Sequence, residues 1–306
     1  VQLSVLATPS VILSEGFETA VSSIFALTAS SVDDFFYSEP YFTEGSTSIG
    51  MTSDSFFDGA GNMRITSINS LDLTKYAGLP VVNFTFDHIC ATEAGFDYGY
   101  VEYSTNGGTT WTSFPTTDYT GGATLKNGVV SFDASSYTAW NTQFTSSTST
   151  PGTAPATALF KTETINLAAY TTSNNFKIRF RYKYDSSDDY YGWLIDNVKF
   201  NVTPKTTWSP STGLYTNTSL TTPYIAGTNV LTVYAAPNGS QLYTATATLG
   251  TCPKTATSMV DHYNNKFLSV SGNWSLPSNW LQNAVPDLTK CVVISNGQTA
   301  IVDTDA

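Results

Sequence analysis

The chain has 306 residues, enough for two or three domains with sizeable cores. Its formal net charge of −11 disfavours nucleic acid and anionic membrane surfaces as partners, and no apolar run approaches the roughly 20 residues of a membrane helix. Charged residues make up only 12% and aromatic residues 14%, beside many serines, threonines and asparagines. Since no amphipathic helix exceeds about two turns, this composition predicts an all-β protein.

Residues 11–201 are predicted to form one long series of strands, with signals that include PVVNFTFDHICA, YGYVEYSTNGGTTW and FKIRFRYKY. A polar, proline- and threonine-rich stretch, residues 142–157, is predicted to be an exposed loop between two of them. We also expect the chain to be part of something longer. It opens without the charged region of a signal peptide and stops in the middle of a strand pattern.

The last two strands of this series carry the most informative pattern. In residues 177–184, basic residues alternate with apolar ones, which predicts a strand with one wet and one buried side. In the next strand, we place Asp196 in an apolar row with Leu194, Val198 and Phe200. A carboxylate in such a row is costly unless it is paired or bound to a metal. Asp196 is therefore the leading candidate for a functional residue.

The rest of the chain indicates two smaller β units. Between residues 203 and 262, short strands and an Asn-Gly hairpin signal predict a small immunoglobulin-like sandwich. Residues 263–306 contain two strand-like runs around a second Asn-Gly pair, and we expect them to begin a larger module because so short a segment cannot bury a full core alone.

Three segments of the first domain, residues 1–202, resemble MAM-like, concanavalin-type jelly rolls of secreted bacterial peptidases and cell-surface proteins: SEGFE, FDYGYVEYSTNGGTTW and RFRYKYDSSDDYYGWLIDNVKF. Asn106 and Asn197 stand where that family more often has aspartate. The resemblance implies a jelly-roll β-sandwich for this domain.

The later units are similar to modules of flavobacterial surface proteins. WSPSTGLYTN and YTATATLGTC resemble their small Ig-like repeats, and SGNWSLPSNW with VVISNGQTAIVD resembles the opening of a parallel β-helix-like module. This tandem order resembles proteins that the type 9 secretion system exports to the cell surface, where gliding motility is one of their roles. It implies an extracellular or surface location, with the secretion machinery as a partner during export.

Jelly rolls of this kind often hold a structural calcium ion with acids from the first and last strands. Carried onto this sequence, the resemblance implies Glu18 and Asp196 as calcium ligands, with Asp97 and Glu102 as further candidates. Backbone carbonyls would complete the oxygen shell that calcium requires. The alternative is that Asp196 accepts hydrogen bonds from backbone amides or from Trp193.

The turn between the last two strands contains a second acidic group, Asp185, Asp188 and Asp189. It either binds another calcium ion or forms a solvated turn. The turn is favoured, since the glycine and terminal glutamate of an EF-hand loop are missing.

Tyr190, Tyr191 and Trp193 form a candidate sugar-stacking platform, because aromatic rings combine flat apolar faces with polar edges. The alternative is core packing for Trp193 and ordinary surface positions for the tyrosines. Trp111 and Trp140 are open to the same two interpretations.

Catalysis has little support in the sequence. His88 shares an apolar row with phenylalanines, which favours a core histidine over a general base, and His262 lies in a hinge. Neither a GxSxG nor an HExxH motif occurs. Cys90, Cys252 and Cys291 are too scattered for a disulfide framework, and Cys90 is predicted to be a buried thiol.

These patterns predict a non-enzymatic module of a secreted or surface protein that serves adhesion or binds carbohydrate or another surface component. One alternative is that the domains are accessory modules of a secreted peptidase or glycosidase whose catalytic domain lies outside this chain. Another is a purely structural stalk that binds no ligand.

Overall fold

The computed structural model describes residues 1–19, 22–29, 34–53, 60–125, 130–144, 155–186, 191–250, 252–260, 265–287 and 292–303. The chain divides into two compact units. The first unit is Thr8–Pro204, and the second unit combines Val1–Ala7 with Lys205–Ala306. Regular structure in the described residues is almost entirely β, which confirms the predicted all-β sandwich class.

The strands are numbered in chain order. The first nine are β1 (Gln2–Ser4), β2 (Ser10–Glu15), β3 (Phe25–Thr28), β4 (Asp34–Glu39), β5 (Ser48–Ser53), β6 (Gly61–Ser67), β7 (Val81–Ala91), β8 (Tyr98–Ser104) and β9 (Thr112–Ser113). Helix α1 (Thr138–Phe144) precedes β10 (Lys161–Asn166), β11 (Lys177–Tyr184) and β12 (Gly192–Thr203). The remaining strands are β13 (Lys205–Ser209), β14 (Leu214–Tyr215), β15 (Thr232–Ala235), β16 (Gln241–Leu249), β17 (Cys252–Val260), β18 (Asn265–Lys266), β19 (Ser271–Asn273), β20 (Val292–Val293) and β21 (Thr299–Ile301).

Two antiparallel sheets form the first unit. The six-stranded sheet has the order β10-β7-β12-β5-β4, with β2 also paired to β12, and the five-stranded sheet has the order β3-β6-β11-β8-β9. Aromatic rings fill the space between them: Phe180 of β11 packs 5.1 Å from Phe86 of β7 and 5.6 Å from Trp193 of β12. Such edge-to-face contacts are the preferred geometry for aromatic pairs.

The predicted alternation in β11 is confirmed. Its apolar and aromatic residues are buried and its basic residues are partly or fully exposed. A strand with this pattern has one face in the core and the other in solvent.

Strand β12 differs from its prediction because it contains a bulge. Asp196 lies opposite Asp87 and Phe200 lies opposite Phe84, so β12 uses one residue more than β7 across this stretch. Asp87 and Phe84 are an odd number of positions apart, and they therefore point to opposite faces of the sheet. Phe84 contacts Phe180 of the other sheet, so the two aspartates lie on the outer face.

The predicted apolar row is thus split by the bulge. Leu194 and Asp196 lie on the outer face, whereas Val198 and Phe200 lie on the inner face. The residue that absorbs the shift is Asn197, whose φ of 49° lies in the left-handed region. Asparagine enters this region more readily than most residues, because its short polar side chain can bond locally.

Burial of Trp193 excludes the predicted sugar-stacking role for this residue. Trp193 is fully buried and donates from Nε1 to His88 Nδ1 at 3.0 Å. His88 is fully buried as well, with Phe132 4.6 Å and Trp140 4.9 Å away, as expected for a core histidine. Cys90 is also a buried thiol, in agreement with its prediction.

The second unit contains two three-stranded antiparallel sheets, β1-β15-β14 and β13-β16-β17, and two parallel pairs, β18-β20 and β19-β21. The domain prediction counts Val1–Ala7 with the jelly roll. In the structure, β1 pairs with β15, and Leu3 joins the core cluster around Trp208, Val233 and Tyr243. Burial of the Leu3 side chain explains why this segment belongs to the second unit.

None of the helices in the described residues is long and apolar enough to cross a membrane.

We expect Trp193→Ala to cost about 3–5 kcal/mol of unfolding free energy, because it removes a fully buried indole and its bond to His88. Trp111→Ala is the control, since Trp111 is only partly buried, and its cost should be roughly 1 kcal/mol. Urea unfolding of the full chain measures both. Equal costs would contradict the core position of Trp193.

Candidate functional site

The candidate site lies where β12 changes its neighbour. β12 pairs with β5 up to Ile195 and with β2 from Val198 onward. Asp196 and Asn197 fall between these two stretches, at the bulge. The loop that follows β2 and the loop that precedes β5 therefore meet at the same point of the central strand.

Asp196 holds the loop before β5. Its Oδ2 accepts bonds from the backbone amides of Thr43, at 2.6 Å, and Glu44, at 3.0 Å, while Oδ1 accepts from the amide of Asn197 at 2.6 Å. This matches the alternative that the sequence left open, in which backbone amides satisfy the buried carboxylate. The carboxylate has no exposed surface.

A second buried carboxylate, Asp87 of β7, lies beside Asp196. The Thr43 hydroxyl is 2.6 Å from Asp87 Oδ2 and 3.1 Å from Asp196 Oδ2, so a single proton serves both groups. Asp87 also accepts bonds from Asn197 Nδ2 at 2.8 Å and from the Thr162 hydroxyl. Two adjacent buried carboxylates repel one another unless a proton or a cation lies between them.

Glu18 reaches the same loop from the other side. Its Oε2 accepts bonds from the amide of Ser46, at 2.8 Å, and from the Ser46 hydroxyl, at 2.7 Å. A Cβ atom at Gly45 would meet the Glu18 carboxylate at 2.0 Å, and the φ of 70° at this position also favours glycine. The structure thus brings both predicted first- and last-strand acids, Glu18 and Asp196, onto one loop.

The electrostatics of the cluster are one-sided. Asp87, Asp196, Glu18 and Glu44 supply carboxylates, and Lys199 Nζ lies 3.3 Å from Glu44 Oε2. Burial raises the pKa of Asp196 above its usual range, although its hydrogen bonds act in the opposite direction. Bonds from Ser46 lower the pKa of the exposed Glu18. Among the residues described, no group of three acidic, histidine or cysteine side chains converges tightly enough to form a finished metal site.

The two further calcium candidates lie elsewhere. Glu102 is on the five-stranded sheet, where Arg179 Nε approaches it to 2.6 Å and Arg181 Nη2 to 2.8 Å, so both of its oxygens bond to arginines. Asp97 is fully buried and accepts a bond from the Asp185 amide at 2.9 Å. Neither residue joins the cluster around Asp196, and their assignment as calcium ligands stays a prediction that the structure does not test.

The remaining sequence candidates give mixed results. Asp188, Asp189, Tyr190, His262 and Cys291 lie outside the described residues. Tyr191 is partly exposed, and its backbone amide bonds to the Ala91 carbonyl at 3.2 Å. Trp140 is buried in the core, whereas Trp111 is partly exposed.

A catalytic role for His88 is not supported by its surroundings. Burial lowers the pKa of His88 to about 3, and its Nδ1 already accepts the Trp193 bond. Its Nε2 is enclosed in the core and has no hydrogen-bond partner in the described part of the chain. A general base needs access to a substrate proton, and this imidazole has none.

Sequence reasoning missed Asp87, Thr43 and Asn197. Asp87 interrupts the strand FTFDHIC as an isolated acid, which is the signal that could have identified it. Thr43 offers no signal of its own, because only the folded loop brings it to the carboxylates. The register shift at Asn197 depends on pairing with β7, which periodicity within one strand does not reveal.

We expect Asn197→Val to cost about 2–3 kcal/mol, because a β-branched residue is strained at positive φ and the bond to Asp87 is lost. Asn197→Gly also loses the bond to Asp87, but glycine adopts the positive φ without strain, so this variant should cost about 1 kcal/mol. Urea unfolding distinguishes the two variants. A valine variant as stable as the glycine variant would contradict a strained bulge.

Comparison with known proteins places these elements in a family. Residues 42–200 match the family model for Reelin subrepeat B. No curated protein matches the chain. Among solved structures, the K2 cleaved adhesin domain of Lys-gingipain is 14% identical with a TM-score of 0.36, and the alignment covers 61% of this chain and 98% of that domain.

Two carbohydrate-binding modules are also similar. The family 11 module of the cellulosomal cellulase Lic26A-Cel5E from Clostridium thermocellum is 9% identical with a TM-score of 0.31, over 64% of this chain and 95% of the module. The mannan-recognising module TmCBM27 is 9% identical with a TM-score of 0.28, over 64% of this chain and 99% of the module. Scores this low carry no information about ligands. The family match, by contrast, spans more than half of the chain, which belongs to the Reelin subrepeat B family.

Proposed function

We propose that this chain is a non-catalytic binding module of a secreted or cell-surface protein, with a first unit that calcium stabilises. The observation that carries the proposal is the pair of buried aspartates, Asp87 and Asp196, at the bulge where two loops meet β12. Weak calcium sites suit extracellular modules, because calcium is abundant there. Calcium stabilisation and an extracellular location therefore support one another.

The residues present fit calcium better than a transition metal. Asp196, Glu18 and Glu44 offer carboxylate oxygens, and the two loops offer backbone carbonyls and the Thr43 hydroxyl. Hard oxygen donors favour calcium, whereas zinc or copper sites use histidine and cysteine. A bound cation would neutralise carboxylates that the protein otherwise buries side by side.

Calcium is expected to raise the melting temperature. A site that is well saturated at millimolar calcium contributes roughly 2 kcal/mol, or about 5 °C for a unit of this size. Asp196→Asn should abolish most of this shift, and Glu18→Gln should reduce it. Asp72→Asn, which removes one exposed carboxylate elsewhere in the first unit, should leave the shift unchanged. Differential scanning calorimetry with calcium or with chelator measures all four proteins.

The calcium shift should also depend on pH. Because folding raises the pKa of Asp196, its ionisation destabilises the calcium-free protein as pH rises above the ordinary aspartate value of about 3.9. Calcium must displace the proton that Asp196 retains in acid. The rise in melting temperature caused by calcium should therefore be larger at neutral pH than near the ordinary aspartate pKa. No calcium shift at neutral pH would remove the calcium part of the proposal and leave the binding part intact.

The proposed partner is carbohydrate or another component of a cell surface. The buried ring of His88 is inaccessible to a substrate, so this residue offers no general base. Export by the type 9 secretion system, and a place among large surface proteins, rest on the sequence resemblance of the tandem modules. If the chain serves a secreted hydrolase instead, the full-length gene should encode a peptidase or glycosidase domain.

A glycan array probed with the full chain tests the binding role. We expect hits that confine themselves to one class of glycan and that lose signal when the protein is heated beyond unfolding. An array without signal above background, for both calcium-loaded and calcium-free protein, would contradict glycan binding and favour the structural stalk. The calcium measurements do not affect this outcome.

A further inference from the structure

The outer face of the five-stranded sheet concentrates positive charge in an acidic protein. β6 and β11 place five cations on it, which we call the cationic face: Arg64, Lys177, Arg179, Arg181 and Lys183. These are five of the 13 lysines and arginines in a chain with a net charge of −11. The opposite side of β11 packs into the core, so by alternation these residues lie on the outer face, where Lys183 is exposed and the other four are partly buried.

The strand register forces like charges together. Arg181 lies directly opposite Arg64, an arrangement that destabilises a sheet when nothing compensates it. Glu102 is the acid on this face within the described strands, and it bonds to Arg179 and Arg181. Burial lowers the pKa of Arg179, the bond and ion pair with Glu102 raise it in part, and repulsion from Arg64 and Arg181 lowers it by a smaller amount. One carboxylate leaves most of the positive charge uncompensated.

The two central guanidinium groups are held in place. Arg179 stacks over the Trp111 ring at 4.3 Å and Arg181 over the Tyr100 ring at 4.1 Å. Among the described residues, Arg179 donates to Glu102 through Nε, which leaves its Nη1 and Nη2 groups for a ligand. Guanidinium groups fixed in this way bind carboxylate or sulfate with little loss of side-chain entropy.

We propose that the cationic face binds an acidic polysaccharide, one that carries carboxylate or sulfate groups. This inference rests on the proposed carbohydrate-binding function and names the class of ligand. From Lys177 to Lys183, β11 extends over roughly 20 Å, room for several sugar rings in a row. Charge complementarity selects the polyanion, and the repeated cations along one strand match repeated anions along a chain.

The aromatic residues favour a polysaccharide over single-stranded nucleic acid. Binding of single strands uses open aromatic faces on which bases stack. Here, Trp111 and Tyr100 stack against arginines.

The test is isothermal titration of the full chain with four polymers at low and high salt. Hyaluronan presents carboxylates only, dextran sulfate presents sulfates, dextran is its neutral counterpart, and oligothymidine is the nucleic acid. We expect hyaluronan or dextran sulfate to bind and to weaken with salt, while dextran does not bind. The acidic polymer that binds shows whether the cationic face recognises carboxylate or sulfate groups.

Two double variants of equal charge locate the site. Arg64→Gln with Lys183→Gln removes two charges from the cationic face and leaves the Glu102 pairs intact. Lys75→Gln with Lys254→Gln removes two charges elsewhere. The first should weaken polyanion binding about tenfold, and the second should leave it nearly unchanged.

Three outcomes would overturn the inference. The first is no binding of either acidic polysaccharide, and the second is an equal loss in both double variants. The third is tighter binding of oligothymidine than of either acidic polysaccharide. If one of these outcomes occurs, glycan-array hits with neutral sugars that survive in the Arg64→Gln, Lys183→Gln variant would still uphold the proposed binding function.

Discussion

The bulge at Asn197 is the constraint on which the first unit depends. β12 is the central strand of the six-stranded sheet, and the bulge lets it pair with β5 along one stretch and with β2 along the next. The extra residue turns Asp196 to the outer face beside Asp87, while Trp193 and Phe200 remain in the core. One left-handed residue therefore creates a buried acidic cluster without interrupting the aromatic interior.

Much of this fold is predictable from local patterns, because β11 and the core side of β7 obey simple alternation. The same reasoning fails at β12, since a bulge resets alternation and only the neighbouring strand shows where. It fails again at Glu102, whose arginine partners lie on β11, far away in sequence. Trp193 could be assigned to the core only once its contacts with Phe180 and His88 were known.

The candidate site shows the same division. Glu18 and Asp196 follow from resemblance to jelly rolls, and the structure places both on the loop before β5. Asp87 and Thr43 complete the cluster through a contact between segments that are distant in sequence, and no sequence motif predicts them. The resemblance thus identifies the segments that come together in the fold. The position of Asp87 beside Asp196, by contrast, depends on the strand register.

Charge in the first unit is separated between its two sheets. Carboxylates gather at the β12 bulge of the six-stranded sheet, and cations gather on the outer face of the five-stranded sheet. Each cluster is costly by itself, because like charges repel at short range. Their separation, with an aromatic core between them, prevents mutual neutralisation by direct ion pairs. Surfaces that retain uncompensated charge of opposite sign are suited to different ligands, a cation at one and a polyanion at the other.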